Sequence, residues 1–298
     1  MAEPAHDAAP AARLVVVLCP ERSGSTLLAA MLGAHPRVLA PPELHLLRYP
    51  DLATWRRCYP AAAGSLAWLL QRLDRAVDAQ TLERELADLP MIEVYRRLLA
   101  RCGPDRILVD KTPAYARDDA ILARIEQLQP VYVRLLRHPL AVAASWLDRE
   151  AERIRERAAA VPRPVRGLWT RLAIARERGR RITLALGRWT DVHERLDRFL
   201  ASLPADRQVT VRYEALVREP EAEGRRLCRA LGIEWSPTML EPDRHLPAPT
   251  AWRTGDEKIR RIRGVDPARA EAWRDRLGAI AIPEPTVRLM TRLGYPRD

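Results

Sequence analysis

The sequence lacks the features of a membrane protein, a disulfide-rich protein or a zinc protein. Its four cysteines, Cys19, Cys58, Cys102 and Cys228, show no Cys-x-x-Cys spacing, and no histidine cluster accompanies them. Zinc and disulfide frameworks are therefore poor explanations, and reduced thiols in a cytoplasm fit better. No apolar run approaches the roughly 20 residues that cross a bilayer. Because the first residues do not read as a signal peptide, we expect a short disordered tail over residues 1–12.

Aromatic residues and lysines are also scarce. Aromatics make up 5% of the 298 residues and no RNP, zinc-finger or KH pattern is present, which argues against a nucleic-acid partner. The net charge of +11 still predicts an anionic partner, and a phosphorylated small molecule fits it better. Only Lys111 and Lys258 are lysines among the 50 basic residues. Arginine is thus the usual basic residue of this chain. Each lysine is present either by chance or because its position requires a compact ammonium group.

What the sequence does contain is an alternation of buried strands and helices. Continuous apolar runs predict strands at residues 13–18, 105–113 and 130–139, and the segment QVTVRY predicts a fourth. A helical pattern follows each strand at crossover spacing. The pattern indicates an α/β protein with a mainly parallel sheet, and we expect one domain over residues 13–298.

The first strand runs into the loop PERSGST, which has the chemistry of an anion cradle. Gly24 lets a ligand approach the backbone, and the helix that follows offers free N–H groups and the positive end of its dipole. Ser23, Ser25 and Thr26 add hydroxyl groups, and Arg22 adds a forked cation. The alternative is an ordinary strand-to-helix turn with a Ser or Thr cap.

The same loop lacks the lysine of the triphosphate-binding pattern GxxxxGK[ST]. No apolar strand ends in a convincing magnesium-binding aspartate, since Asp110 is followed directly by Lys111. Kinases and ATPases use a metal to neutralise charge between the β- and γ-phosphates. The sequence therefore favours a nucleotide without a γ-phosphate.

Three segments in order resemble the sulfotransferases that use 3'-phosphoadenosine-5'-phosphosulfate (PAPS). PERSGSTLL resembles their 5'-phosphosulfate loop, and LLRHPLAVAASW resembles their 3'-phosphate motif, with Arg137 and Ser145 at its two key positions. VRYEALVREPEAEGRRLCRALGIEW resembles a later family segment. The resemblance covers about the first 235 residues. It implies a three-layer sandwich of the P-loop-like sulfotransferase fold with helix-rich insertions.

Further segments resemble the tyrosylprotein-type and polyketide-synthase-type branches. AHPRVLAPPELHLL places Glu43 where the first branch has its proposed base, and DKTP places Lys111 on a lysine that stabilises the transferring sulfonate. GDEKIRRIRGVDPARAEAW resembles a polyketide-type stretch in which Lys258 lies in a loop over the nucleotide. That branch has a histidine shortly after this lysine, whereas Ile259 follows it here.

The resemblance implies sulfonate transfer from PAPS to an acceptor hydroxyl without a metal. Glu43 would be the base, and Arg22 and Lys111 would hold the sulfonate. The nucleotide-binding residues would be the following: Arg22, Ser23, Gly24, Ser25, Thr26, Arg137, Ser145, Tyr213 and Lys258.

The acceptor is predicted only as a class. A hydroxyl on a free secondary metabolite and a β-hydroxyacyl chain on an acyl carrier protein both fit, while no membrane partner is expected and no oligomeric state is indicated. His45 either lines the acceptor pocket or caps a helix, and His245 either contacts the acceptor or lies in a surface loop. The Arg-rich segment 149–181 is either a solvated helical face or a lid over an anionic ligand.

Three rival interpretations of the whole chain stay open. A P-loop kinase or NTPase would bind ATP with Mg²⁺, and a regulatory protein would retain the nucleotide fold without the chemistry. A third, a nucleic-acid binder built on the Arg-rich segment 149–181, would show salt-sensitive binding to DNA or RNA.

Overall fold

In the described residues, five strands form one parallel sheet. The computed structural model describes residues 14–73, 78–246, 264–278 and 280–296. The sheet order is β2-β3-β1-β4-β5, and every pair of neighbours is parallel. The strands are β1 (Leu14–Leu18), β2 (Val38–Leu39), β3 (Ile107–Lys111), β4 (Val131–Leu136) and β5 (Gln208–Arg212). The predicted α/β class with a mainly parallel sheet is confirmed.

Helices connect the strands and cover both faces of the sheet. They are α1 (Ser25–Gly33), α2 (Leu52–Cys58), α3 (Ala63–Leu73), α4 (Ala79–Leu86), α5 (Met91–Cys102), α6 (Asp119–Glu126), α7 (Pro139–Ala158), α8 (Arg163–Ala201), α9 (Tyr213–Arg218), α10 (Pro220–Ala230), α11 (Arg274–Leu277) and α12 (Glu284–Arg292). A helix was predicted near residues 267–277, and the structure divides it into a 3₁₀ turn and α11. None of the helices described has the length and apolarity needed to cross a membrane.

The alternation of side chains along β1 explains the three layers. Leu14, Val16 and Leu18 pack into a core formed with α3 to α6 and the end of α8. Val15 and Val17 pack into a second core, formed with α1, α9 and α10. Each fully buried aliphatic side chain of this kind stabilises the fold by roughly 1.5–3 kcal/mol. A strand that is apolar on both faces therefore requires helices on both sides of the sheet.

The Arg-rich segment 149–181 is helical on both sides of a short break. It comprises the second half of α7 and the first half of α8. The helical structure is interrupted by a turn at residues 159–162. The two helices pack together through small and apolar residues that include Ala144 and Leu186. The first turns of α8 are exposed, and they present Val165, Leu168, Trp169 and Leu172 to solvent.

The packing of α10 gives a first test of the fold. An alanine Cβ at Gly224 would lie 2.1 Å from a ring carbon of Trp235. We expect Gly224→Ala to lower the free energy of unfolding by about 1–3 kcal/mol, as overpacking does. Gly187→Ala in α8 is the matched control. Nothing lies within 4 Å of its added Cβ, so it should raise stability by up to about 1 kcal/mol. Urea denaturation measures both, and stabilisation by both variants would contradict this packing.

Candidate active site

The loop between β1 and α1 is shaped by contact with the end of β5. Arg22 and Gly24 both have left-handed backbone conformations, with φ of 69° and 91°. A Cβ on Gly24 would lie 2.2 Å from the ring of Tyr213. Only glycine fits there, because any side chain would collide with that ring. The carbonyl of Gly24 then accepts hydrogen bonds from the amides of Leu27 and Leu28, at 3.0 and 3.2 Å, and α1 begins.

Several buried polar groups in or beside this loop have no hydrogen-bond partner among the described residues, and they include the Ser23 hydroxyl and Nε of Arg137. The Glu21 carboxylate is another, and it forms an ion pair with Arg117. The Nη1 atom of Arg137 donates to the carbonyl of Arg22 at 2.9 Å, and its guanidinium lies 4.1 Å from the ring centroid of Tyr213. Burial lowers the pKa of Arg137 from its ordinary value. A buried cation with an unused donor is costly unless an anion compensates it, so this corner of the protein fits an anionic group.

A hydrogen bond joins the first loop to α7. Nε of Arg22 donates to Oγ of Ser145 at 3.0 Å, although 123 positions separate the two residues. Since Arg137 also contacts Arg22, the residues of the first two motifs form one cluster at the carboxyl ends of β1 and β4. Parallel sheets bind ligands at this edge.

Glu43 lies between two basic side chains next to this cluster. Nζ of Lys111 donates to its Oε1 atom at 2.6 Å, and Nε2 of His45 lies 3.1 Å from its Oε2 atom. Nζ of Lys111 also lies 3.5 Å from Oγ1 of Thr26. Burial alone would raise the pKa of Glu43, but the charge of Lys111 and the hydrogen bonds from His45 and Lys111 outweigh it and hold this pKa at about 2. In this state the carboxylate is a poor proton acceptor.

The contacts of His45 bear on its two predicted roles, which are lining the acceptor pocket and capping a helix. It precedes a 3₁₀ turn at Leu46–Arg48, but its side chain makes no capping hydrogen bond and contacts Glu43 instead. The helix-capping role is thus not what the geometry shows. Lys258 and the predicted tail at residues 1–12 lie outside the described residues, as does the side chain of His245.

A cavity of about 780 Å³ connects these groups. Ten of the residues that line it are predicted site residues or arginines of α7: Arg22, Gly24, Ser25, Thr26, Glu43, Arg137, Ser145, Arg149, Arg153 and Tyr213. Arg181 of α8 lines it too, and pairs with Glu150 at 3.2 Å. Part of the Arg-rich segment 149–181 is therefore a wall of this cavity, and residues 159–172 are mostly exposed.

A second cavity, of about 1180 Å³, opens at the other end of the sheet. It is lined by Leu14 and Val131, which start β1 and β4. None of the predicted site residues lines it. Size alone would favour this cavity, but the motif residues and the unused buried donors lie at the smaller one.

Sequence reasoning missed a layer of residues behind Lys111. Asp110 is buried and accepts hydrogen bonds from the hydroxyls of Tyr95, Thr112 and Tyr115. The sequence singled out Asp110 only to reject it as a magnesium ligand. Cys19 also lies near the site, and burial raises the pKa of its thiol to about 12, so it does not act as a thiolate there.

The sequence model of the sulfotransferase family matches residues 15–237. The chain belongs to the sulfotransferase family. A sulfotransferase domain from the olefin synthase of Synechococcus PCC 7002 is 27% identical and superimposes with a TM-score of 0.77, covering 98% of each chain. A sulfotransferase domain from the curacin biosynthetic pathway is 26% identical with a TM-score of 0.77, covering 97% of this chain and 99% of that one.

A curated relative is also similar. Nodulation protein NoeE of Sinorhizobium fredii (strain NBRC 101917 / NGR234) is 29% identical over 294 residues, which cover 91% of this chain. The chain spans only 62% of the length of NoeE. The predicted family and its P-loop-like α/β fold are confirmed by these likenesses.

The pair of Glu43 and Lys111 predicts how stability depends on pH. The pKa of Glu43 in the folded chain, about 2, lies below its ordinary value of 4.5. The ionised carboxylate therefore contributes stability above pH 4.5, and this contribution is lost as the pH falls from 4.5 towards 2. We expect Glu43→Gln to be less stable at neutral pH, by on the order of 3 kcal/mol, because it leaves Lys111 buried without its partner.

Urea unfolding at several pH values measures this effect. The difference between wild type and Glu43→Gln should shrink as the pH falls below 4.5. Glu93→Gln is the control, since Glu93 pairs with Arg97 at 2.9 Å on the partly exposed face of α5. A Glu43→Gln difference that stays constant with pH would contradict the depressed pKa.

Proposed function

We propose that this sulfotransferase transfers a sulfonate group from PAPS to a hydroxyl of a small-molecule acceptor. One observation carries the proposal: Arg137, a buried cation with an unused donor that contacts the loop of Ser23, lines the same cavity as Glu43, which pairs with the buried Lys111. The first two groups suit the anions of a nucleotide. The second two suit a proton transfer beside developing negative charge.

The donor is assigned by its charges. The loop of Ser23 to Thr26 and the start of α1 would hold the 5'-phosphate. Arg137 and Ser145 would hold the 3'-phosphate, and the ring of Tyr213 would support the nucleotide against the loop. Binding of a phosphate to Ser145 would replace its hydrogen bond with Arg22.

The reaction is a displacement at sulfur. The acceptor oxygen forms a new S–O bond while the S–O bond to the 5'-phosphate breaks, and the electron pair of that bond leaves with 3',5'-ADP. Glu43 takes the proton of the acceptor hydroxyl. Lys111 and Arg22 stabilise the charge that develops on the leaving oxygen and on the sulfonate, as cations do in phosphoryl transfer.

The ion pair with Lys111 would make the basicity of Glu43 depend on whether the sulfonate donor is bound. With Lys111 at 2.6 Å, Glu43 is too weakly basic to accept a proton readily. An anionic donor would compete for the ammonium group, and the loss of that neighbouring charge would raise the pKa of Glu43. His45 would keep the carboxylate oriented through its other oxygen.

The acceptor is proposed as a secondary metabolite or a β-hydroxyacyl chain on a carrier protein. Similarity to sulfotransferase domains from an olefin synthase and from the curacin pathway supports the carrier-bound form. A cytoplasmic location, a single domain over residues 13–298, and roles for Lys258 and His245 stay proposals from the sequence alone.

Activity of Glu43 variants tests the base. We expect Glu43→Gln to slow release of 3',5'-ADP from PAPS, across a panel of hydroxylated metabolites and acyl-carrier substrates, by about 10²- to 10⁴-fold. Affinity for 3',5'-ADP should stay close to that of wild type. Glu93→Gln serves as the control that keeps full activity. Equal rates for wild type and Glu43→Gln with every acceptor that is turned over would contradict the assignment.

Nucleotide selectivity tests the donor site. Calorimetry should show that wild type binds 3',5'-ADP more tightly than 5'-AMP by about 10- to 100-fold, without Mg²⁺, because charged hydrogen bonds hold the 3'-phosphate. Arg137→Met should remove most of this preference. Arg134→Met on the same strand is the matched control, since Arg134 is also buried but pairs with Asp197 at 2.6 Å. Binding of ATP that requires Mg²⁺ would favour the kinase alternative instead.

A further inference from the structure

Asp110 organises a buried hydrogen-bond network directly behind Lys111. Its side chain is 1% exposed. Its Oδ2 atom accepts from the hydroxyl of Tyr115 at 2.8 Å and from that of Tyr95, and its Oδ1 atom accepts from Oγ1 of Thr112 at 3.0 Å. With three donors on one carboxylate, the position of each hydroxyl oxygen is fixed.

Two of these hydroxyls hold the segment that carries Glu43. The amide of Leu47 donates to the hydroxyl of Tyr115 at 3.2 Å, and the amide of His45 points to Oγ1 of Thr112 at 3.4 Å. Both hydroxyls in turn donate hydrogen bonds to the carboxylate of Asp110. The backbone at residues 45–47 is therefore tied through side chains to β3, the strand that ends in Lys111.

The backbone of this segment needs such support. His45 has a φ of 56°, a left-handed conformation that is uncommon for residues other than glycine. The carbonyls on either side are also held, that of Leu44 by Nε1 of Trp55 and that of Leu47 by Arg124, both at 2.8 Å. The kink at His45 directs its ring back to Glu43.

We propose that Asp110 is a positioning residue that acts through Tyr115 and Thr112 to set where Glu43 and His45 stand relative to Lys111. The significance of this for catalysis rests on the proposed function, but the geometry does not. The competing explanation is that the network only stabilises the fold. Because a buried polar cluster can often be replaced by apolar groups at little cost, stability alone is a weak reason to maintain four coupled polar side chains.

Tyr115→Phe tests the proposal, because it removes only the hydroxyl shared by Leu47 and Asp110. Tyr132→Phe is the matched control: Tyr132 is equally buried and donates to a carboxylate, that of Glu126 at 2.9 Å, away from the site. Both variants should lose similar stability, about 1–3 kcal/mol. Only Tyr115→Phe should disturb Glu43.

The decisive readout is the titration of the Glu43 carboxyl, followed by carbon NMR from neutral pH down to about pH 3. Wild type and Tyr132→Phe should show no midpoint in this range, since the pKa of Glu43 is about 2. In Tyr115→Phe the carboxyl should move from Lys111 and His45, and its pKa should rise towards the ordinary 4.5. Unchanged titration of Glu43 in Tyr115→Phe, with stability lost as in Tyr132→Phe, would overturn the proposal.

Kinetics provide a second readout that separates this inference from the proposed function. With an acceptor that is turned over, Tyr115→Phe should lower kcat by roughly 10- to 100-fold and leave the affinity for 3',5'-ADP unchanged, as small misplacements of reacting groups do. If no acceptor is turned over, the proposed function fails, yet the NMR titration still decides the positioning role.

A third measurement guards against a variant that does not fold. In wild type, hydrogen exchange should show the amide of Leu47 to be strongly protected, because it donates to the buried hydroxyl of Tyr115. Thr112→Val removes the other link and should raise the pKa of Glu43 in the same direction. Fast exchange at Leu47, or an unchanged Glu43 titration in Thr112→Val, would count against the network as the positioning device.

Discussion

The contact between Lys111 and Glu43 is the interaction on which the rest of the site depends. It joins the end of β3 to a segment 68 positions earlier in the chain, at 2.6 Å. All strands of the described sheet run parallel, so their carboxyl ends meet at one edge and deliver Arg22, Lys111, Arg137 and their neighbours to the same place. The ion pair is stable only because Lys111 is buried in that edge, where water cannot replace the carboxylate.

The same edge gathers more positive charge than the described side chains neutralise. Arg137 is buried with an unused donor, and three arginines of α7 and α8 form the far wall of the cavity. Those arginines pair with acidic residues of α7, whereas the Ser23 hydroxyl and Nε of Arg137 have no partner in the described part of the chain. The charge at the strand ends, rather than the basic character of the whole surface, is what supports the proposed anionic donor.

Sequence reasoning succeeded where the signal was local. Apolar runs located four of the strands. The motif residues Arg22, Arg137 and Ser145 contact one another, and they line one cavity with Glu43, the partner of Lys111. It failed where contacts join distant positions. Nothing in the sequence around Tyr95 or Tyr115 shows that both hydroxyls reach Asp110. These two hydrogen bonds form only because α5 and the turn after β3 pack next to each other in the folded chain. The sequence also did not show that α8 is 39 residues long. The first turns of this helix bury few apolar side chains, so their hydrophobic periodicity is weak.

The rarity of lysine acquires a physical meaning at this edge. Nζ of Lys111 must reach Glu43 and Thr26 from a buried strand end, where the paired residue on β1 is the apolar Val17. A guanidinium would carry five N–H donors in a rigid plane, and those without an acceptor would be buried at a cost. An ammonium group presents a compact charge whose donors can be shared between a carboxylate and an incoming oxyanion. In a chain that otherwise uses arginine almost everywhere, this geometric demand accounts for the lysine at position 111 without any appeal to composition.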